Sequence, residues 1–165
     1  MTNRILSHQQ IQHKTRRIAY QIYESNVEEE KIILAGIEGG GVQFAKKIQR
    51  VLRKITPADI VLCKVSMNKK DPLHSGVNTS IPEADYSGES VVLVDDVLNS
   101  GTTLIYGVNH FLKTPLKKLK TAVLVNRNHK KYPVKADFKG ISLSTSLQMH
   151  VHVEFQAKND GVYLD

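Results

Sequence analysis

Val91-Val92-Leu93-Val94-Asp95-Asp96-Val97-Leu98-Asn99-Ser100-Gly101-Thr102-Thr103-Leu104 decides how the rest of this chain is read. Four apolar β-formers run into two adjacent carboxylates, which run into a Gly/Ser/Thr loop that opens a helical pattern. Residues 91–94 are too few and too β-branched for a helix and read as a strand buried on both faces, as in a parallel sheet. The carboxyl end of such a strand is where open α/β sheets bind ligands. Ionised Asp95 and Asp96 only accept hydrogen bonds, so they suit ribose hydroxyls or a hydrated cation. Asn99, Ser100, Gly101, Thr102 and Thr103 offer side-chain and backbone donors at a helix start, where a phosphate also gains from the helix dipole. The lysine of a nucleoside-triphosphate P-loop is absent, which favours a ribose 5-phosphate as the ligand.

Outward from this stretch, strands and helices alternate. Ser7 and Gln10 form a capping box ahead of a helix that carries Ile11, Ile18, Ala19, Ile22 and Tyr23 at helical spacing through residue 26. Residues 31–36 read as a strand. Gly39-Gly40-Gly41 opens a second helix with Val42, Ala45, Ile48, Leu52 and Ile55 on one face, closed off by Pro57. Residues 60–65 form the next strand, and Cys63 within it reads as core. Residues 66–88 read as a long polar connection, of a kind that compact domains keep mainly for function. After the signature strand come a helix to about Lys113, a strand at 121–125, and shorter strands near 137–142, 150–155 and 161–164. This alternation predicts a single α/β domain spanning 1–165: a doubly wound parallel sheet flanked by helices, with right-handed crossovers.

Two further segments fall at the ligand edge of such a sheet. In Ile37-Glu38-Gly39-Gly40 the glycines let backbone N–H groups approach an anion with no Cβ in the way. Asn126 and Arg127 end another strand, and an amide there can offer donors and acceptors to a flat heterocycle. His150 and His152 alternate on one strand face, but no third metal ligand stands near them in the pattern.

Composition bounds the function. With 165 residues, 41% of them hydrophobic, the chain can bury a core, and its lone cysteine forbids an intrachain disulfide. No apolar stretch has the length of a signal peptide or membrane span, so the expected location is the cytoplasm. A net charge of +7 invites an anionic partner. Aromatic residues are only 6% and are not interleaved with the basic runs, so RNA is a partner the charge allows and no stacking platform indicates.

The signature resembles the phosphoribosyl-pyrophosphate (PRPP) motif of type I phosphoribosyltransferases. The likeness runs along the chain through Arg17-Ile18-Ala19, Gly36-Ile37, the region of Asp71, Val94-Asp95-Asp96-Val97-Leu98, and residues 124–146. It is greatest toward the PyrR-type pyrimidine operon attenuator/uracil phosphoribosyltransferases. The resemblance implies a parallel sheet under a small hood, magnesium bound with PRPP, and a homodimer or higher oligomer. It assigns Asp95 and Asp96 to the ribose hydroxyls, with indirect contact to the metal, and residues 99–103 to the 5-phosphate. Ile37, Glu38, Gly39 and Gly40 become the pyrophosphate loop, with a strained, often cis, peptide bond at 37–38 or its neighbour. Val97, Asn126 and Arg127 become base contacts, and residues 66–88 a lid whose cations are Lys69 and Lys70, with His74 and Ser75 beside them. The implied activity is uracil phosphoribosyl transfer. The alternatives are an RNA-binding attenuation regulator with weak activity, or purine salvage. Glu38 departs from the Lys or Arg that relatives place in this loop. Asn99 and Asn126 replace the aspartate and lysine of purine enzymes and the tyrosine and aspartate of the PyrR type.

Overall fold

A computed structural model describes residues 3–165. The main sheet has the order β4-β3-β2-β5-β6-β7, built from β2 (Lys31–Ile37), β3 (Asp59–Met67), β4 (Val77–Thr79), β5 (Ser90–Leu98), β6 (Lys118–Arg127) and β7 (Phe138–Leu143). All neighbours pair in parallel except β3 and β4, which are antiparallel. From β2 the chain steps outward to β3, then returns to the other side of β2 as β5 and continues through β6 to β7. The order therefore reverses between β2 and β5. In open α/β sheets the crevice at such a reversal, beyond the carboxyl ends of the strands, holds the ligand.

Helices cover both faces, as the apolar runs of β2 and β5 require. α1 (His8–Ser25) and α2 (Gly40–Ile55) close one face with Ile11, Ile18, Ile22, Phe44, Ile48 and Leu52 over Ile32, Leu34, Val92, Val94 and Leu124. On the other face α5 (Thr102–Phe111) packs Leu104 and Phe111 against Ile33, Leu93 and Val123. The Ser7 capping box forms as the sequence predicts, with Ser7 Oγ accepting from Gln10 N–H and the Gln10 side chain accepting from Ser7 N–H.

The connection 66–88 is more ordered than its polar composition suggests. β3 runs on to Met67 and pairs through Ser66 and Met67 with Asn78 and Val77, after the short helix α3 (Pro72–Ser75). A second short helix, α4 (Glu83–Tyr86), buries Tyr86 edge-on against Phe111 with ring centroids 5.0 Å apart. The apolar residues Val77, Ile81 and Tyr86, spaced too irregularly for either period, are what hold this segment to the sheet.

The smaller sheet, β1-β9-β8, is antiparallel and joins β1 (Asn3–Leu6), which the sequence reading lacked, to β8 (Val151–Glu154) and β9 (Gly161–Leu164). It is the hood. It packs on the α1/α2 side, with Leu6 and Val162 buried and Phe155 stacked on Phe44 at 6.1 Å. Asp160 latches it to the core. Fully buried, Asp160 accepts from Gln156 N–H at 2.8 Å, and its Oδ2 lies 2.9 Å from Lys47 Nζ of α2 and 3.3 Å from His8 Nδ1 of α1. Among the described residues no helix is long and apolar enough to cross a membrane.

Candidate active site

The ends of β2 and β5 converge at the reversal point. Asp95 is buried and Asp96 half-buried, and each bends back to cap a neighbouring backbone group: Asp95 Oδ1 accepts from Asp96 N–H at 2.9 Å, and Asp96 Oδ1 accepts from Val97 N–H at 2.8 Å. Burial, and next the adjacent Asp96 charge, push the Asp95 carboxyl well above the ordinary carboxylate range, with Lys69 pulling weakly the other way. Two adjacent carboxylates held this way suit a ligand that brings hydroxyl donors and a cation with it.

The Gly-rich turn is fitted to these carboxylates. A Cβ on Gly40 would lie 2.0 Å from Asp96 Oδ2, so the acidic turn and the start of α2 can meet only because residue 40 has no side chain. Gly39 takes φ 94°, ψ −126°, a left-handed-side conformation that only glycine adopts without strain. Peptide bonds are trans throughout the described residues, including 37–38, so the cis bond implied by the resemblance is absent. The turn is made by Gly39 instead. Glu38 does not point its charge unopposed at the site. Its Oε1 lies 3.0 Å from Lys64 Nζ on β3, and Lys64 holds its carboxyl below the usual range.

The loop after β5 is shaped from behind. Ser100 C=O accepts from Lys131 N–H at 2.7 Å and Tyr132 N–H at 3.2 Å, and Val134 packs so near Gly101 that a Cβ there would lie 2.6 Å from its Cγ1. Gly101 has φ 89° and caps the start of α5, while Ser100 Oγ and Thr102 Oγ1 hydrogen-bond at 2.9 Å. The cavity this loop encloses, about 130 Å³, is lined by Lys69, Asp95, Asp96, Val97 and residues 98–104. All five expected phosphate-loop residues are thus brought together with both aspartates and Val97. Lys69 reaches in from the 66–88 connection. Lys70, His74 and Ser75 are not among the lining residues. Lys70 lies exposed, and His74 Nδ1 is 2.8 Å from Asp71 Oδ1.

Arg127 and Asn126 part company at the end of β6. Asn126 is in register with Leu98 and Ser142, on the α5 side of the sheet, and donates to Ser142 Oγ at 3.3 Å. Its Oδ1 is enclosed without a partner. Arg127 instead clamps the loop before the hood. Its guanidinium donates to Thr145 Oγ1, Met149 C=O (2.7 Å) and Asn99 Oδ1 (3.0 Å), and His129 Nε2 contacts Thr145 C=O. Asn99, Ser100, Arg127, His129 and Leu147 border a second hollow of about 190 Å³ that shares Asn99 and Ser100 with the first. The sequence reading missed Thr145 and Met149, whose carbonyl and hydroxyl carry no motif.

Replacing Arg127 by alanine removes a fork that ties the loop before the hood to Asn99. Charged hydrogen bonds typically contribute about 1.5–3 kcal/mol, less where water competes, so Arg127→Ala should lower stability in urea unfolding by about 1–3 kcal/mol. Arg127→Lys should recover little, because an ammonium cannot span the same acceptors.

With these contacts in place, the comparisons with known proteins agree on the class. The phosphoribosyl transferase domain family matches residues 1–159. The chain is 34% identical over 139 residues to the "Bifunctional protein PyrR" of Streptococcus thermophilus (83% of this chain, 80% of the relative) and 32% identical over 146 residues to the protein of that name in Streptococcus pneumoniae (87% and 84%). In fold it is similar to a hypoxanthine-guanine phosphoribosyltransferase of Bacillus anthracis (TM-score 0.72, 24% identity, covering 86% of this chain and 82% of the other) and to the hypoxanthine phosphoribosyltransferase of Trypanosoma cruzi (TM-score 0.78, 15% identity, 97% and 95%). A carboxylate pair followed by a Ser/Gly/Thr loop at the reversal point of a hooded α/β sheet fits the type I phosphoribosyltransferase fold that these comparisons show. The chain belongs to the phosphoribosyl transferase domain family, with PyrR proteins among its relatives.

Proposed function

We propose that this chain is a cytoplasmic enzyme that transfers the ribosyl 5-phosphate group of PRPP to a free nucleobase, uracil by preference, with release of pyrophosphate. The observation that carries the reading is the single cavity joining Asp95, Asp96, Val97 and the 99–103 loop to Lys69. In this reading Asp95 and Asp96 accept hydrogen bonds from the ribose hydroxyls. Backbone and hydroxyl donors of Ser100, Gly101, Thr102 and Thr103 hold the 5-phosphate at the N-terminus of α5. The Ile37-Glu38-Gly39-Gly40 turn faces the pyrophosphate, and Lys69 approaches it from the connection that would close over the site and exclude water.

The residues present fit magnesium, since two adjacent carboxylates line the cavity and Lys69 is the one lysine or arginine that lines it with them. Bound with PRPP, the metal would supply charge neutralisation for the leaving pyrophosphate, with Asp95 and Asp96 holding it through water. The chain's own part is positional: it aligns the base with ribose C1 while positive charge develops there.

Asn99 supports a base other than a purine. Its Oδ1 receives Arg127 Nη1, so the amide has only its N–H edge to present, and an amide cannot serve as the proton acceptor that purine enzymes place here as an aspartate. Val97, in line with Val125, would lie against the base. Asn126 faces Ser142 and would act on the base only indirectly. The test is PRPP-dependent nucleotide formation with magnesium, comparing uracil with hypoxanthine, guanine and xanthine. Turnover with uracil alone is expected. Purine turnover would overturn the preference, and tight PRPP binding with no turnover would favour a regulator in place of an enzyme.

A further inference from the structure

The groove between α1 and α2 shares no lining residue with the cavity at the carboxylate turn. α2 contains no Asp or Glu, and its Lys47, Arg50 and Lys54 stand three and four residues apart, on one stripe. Arg16 of α1 faces the same groove, whose volume is about 350 Å³ and whose floor includes Ile11 and Val51. Lys47 is already engaged, with its Nζ 2.9 Å from Asp160 and 5.5 Å from the Phe155 ring centroid. Among the described residues, Arg16, Arg50 and Lys54 have no ion-pair partner.

Like charges at these spacings repel one another, and a concave wall of them focuses field on whatever enters. The engaged Lys47–Asp160 pair bounds the groove at the hood, and its volume falls within the range of small-molecule sites. No Phe, Tyr or Trp lines it and His13 is its one ring, so it lacks the row of aromatic side chains on which single-stranded nucleic acid stacks successive bases. Neutralising three free cations takes several negative charges on one small molecule.

We propose that this groove binds a small polyphosphate-bearing molecule of nucleotide size through Arg16, Arg50 and Lys54. The probe is inorganic tripolyphosphate, titrated calorimetrically into the full chain without magnesium. The signature loop also takes phosphate, so the wild type should bind one equivalent more than Arg50→Ala/Lys54→Ala. That variant should keep its melting temperature and its PRPP-dependent turnover. Arg16→Gln, on the opposite wall, should weaken the same binding event at least about tenfold, as loss of a charge-assisted contact does. Equal stoichiometry and affinity in the wild type and the double variant would overturn the proposal. So would a single-stranded RNA oligonucleotide that needs Arg50 and Lys54 while tripolyphosphate does not, because the face would then serve nucleic acid and not a small ligand.

Discussion

Asp95→Asn should melt higher than the wild type at neutral pH and yet bind PRPP roughly ten- to a hundredfold more weakly. Asp95 is buried beside Asp96, and both circumstances raise its folded-state pKa above its value in the unfolded chain. The sign follows from linkage. Below about pH 3 both states hold the proton and the group costs nothing. As the pH rises, the unfolded chain ionises first, so the wild type loses stability until the folded carboxyl also ionises, and beyond that pH the loss is constant. Asparagine keeps the oxygen that accepts from Asp96 N–H and never ionises. The two melting temperatures should therefore coincide below about pH 3 and separate as the pH rises, at about 2–4 °C per kcal/mol for a domain of this size. The affinity loss reflects removal of a charged acceptor from hydroxyl donors, worth about 1.5–3 kcal/mol. Adding Asp96→Asn should take PRPP binding below detection with the fold intact. PRPP affinity retained in the double variant would show that the ribose lies elsewhere. Calorimetric melting in a chelating buffer and PRPP titration together check both halves.

Gly40→Ala and Gly41→Ala, neighbours in one turn, should fail in different ways. At residue 40 the three atoms nearest the new methyl all belong to the Asp96 side chain, from its carboxylate oxygen at 2.0 Å to its Cβ at 3.0 Å. The carboxylate can rotate away, so the protein should fold with a modest loss of stability and a large loss of PRPP affinity. At residue 41 the methyl would meet Val94 C=O at 2.7 Å and Asp95 Cα at 3.2 Å, backbone atoms of a strand paired on both sides. Neither can retreat, so α2 must lift from the sheet. Overpacking of this kind costs about 1–3 kcal/mol, and the upper part of that range is expected here, read as a lowered urea midpoint. If Gly41→Ala were as stable as the wild type, the helix would not seat on β5 as described.

Two other contacts bear on how the site is held. Lys64 pairs with Glu38, so the negative charge in the Gly-rich turn is answered from the neighbouring strand. Arg127 links Asn99 at the cavity to Thr145 and Met149 below the hood, so the shape of the cavity at Asn99 depends on the hood's approach.

Much of this was legible in one dimension, because the relevant physics is local. Periodicity marked α1, α2 and β5. Ser7 and Gln10 marked a cap, and the run from Val91 to Leu104 placed two carboxylates and five donors in a single turn that no later folding could separate. Three things were settled only by tertiary contacts. β1 is four residues long and becomes a strand because β9 lies beside it. Asp160, in an Asn-Asp-Gly sequence that reads as an exposed turn, is wholly buried because His8 and Lys47 arrive from two distant helices to meet it. Asn126 and Arg127 are adjacent in sequence, yet one is spent on Ser142 and the other on the loop before the hood. Strand register sends successive side chains to opposite faces, and only the partners waiting there decide what each can do.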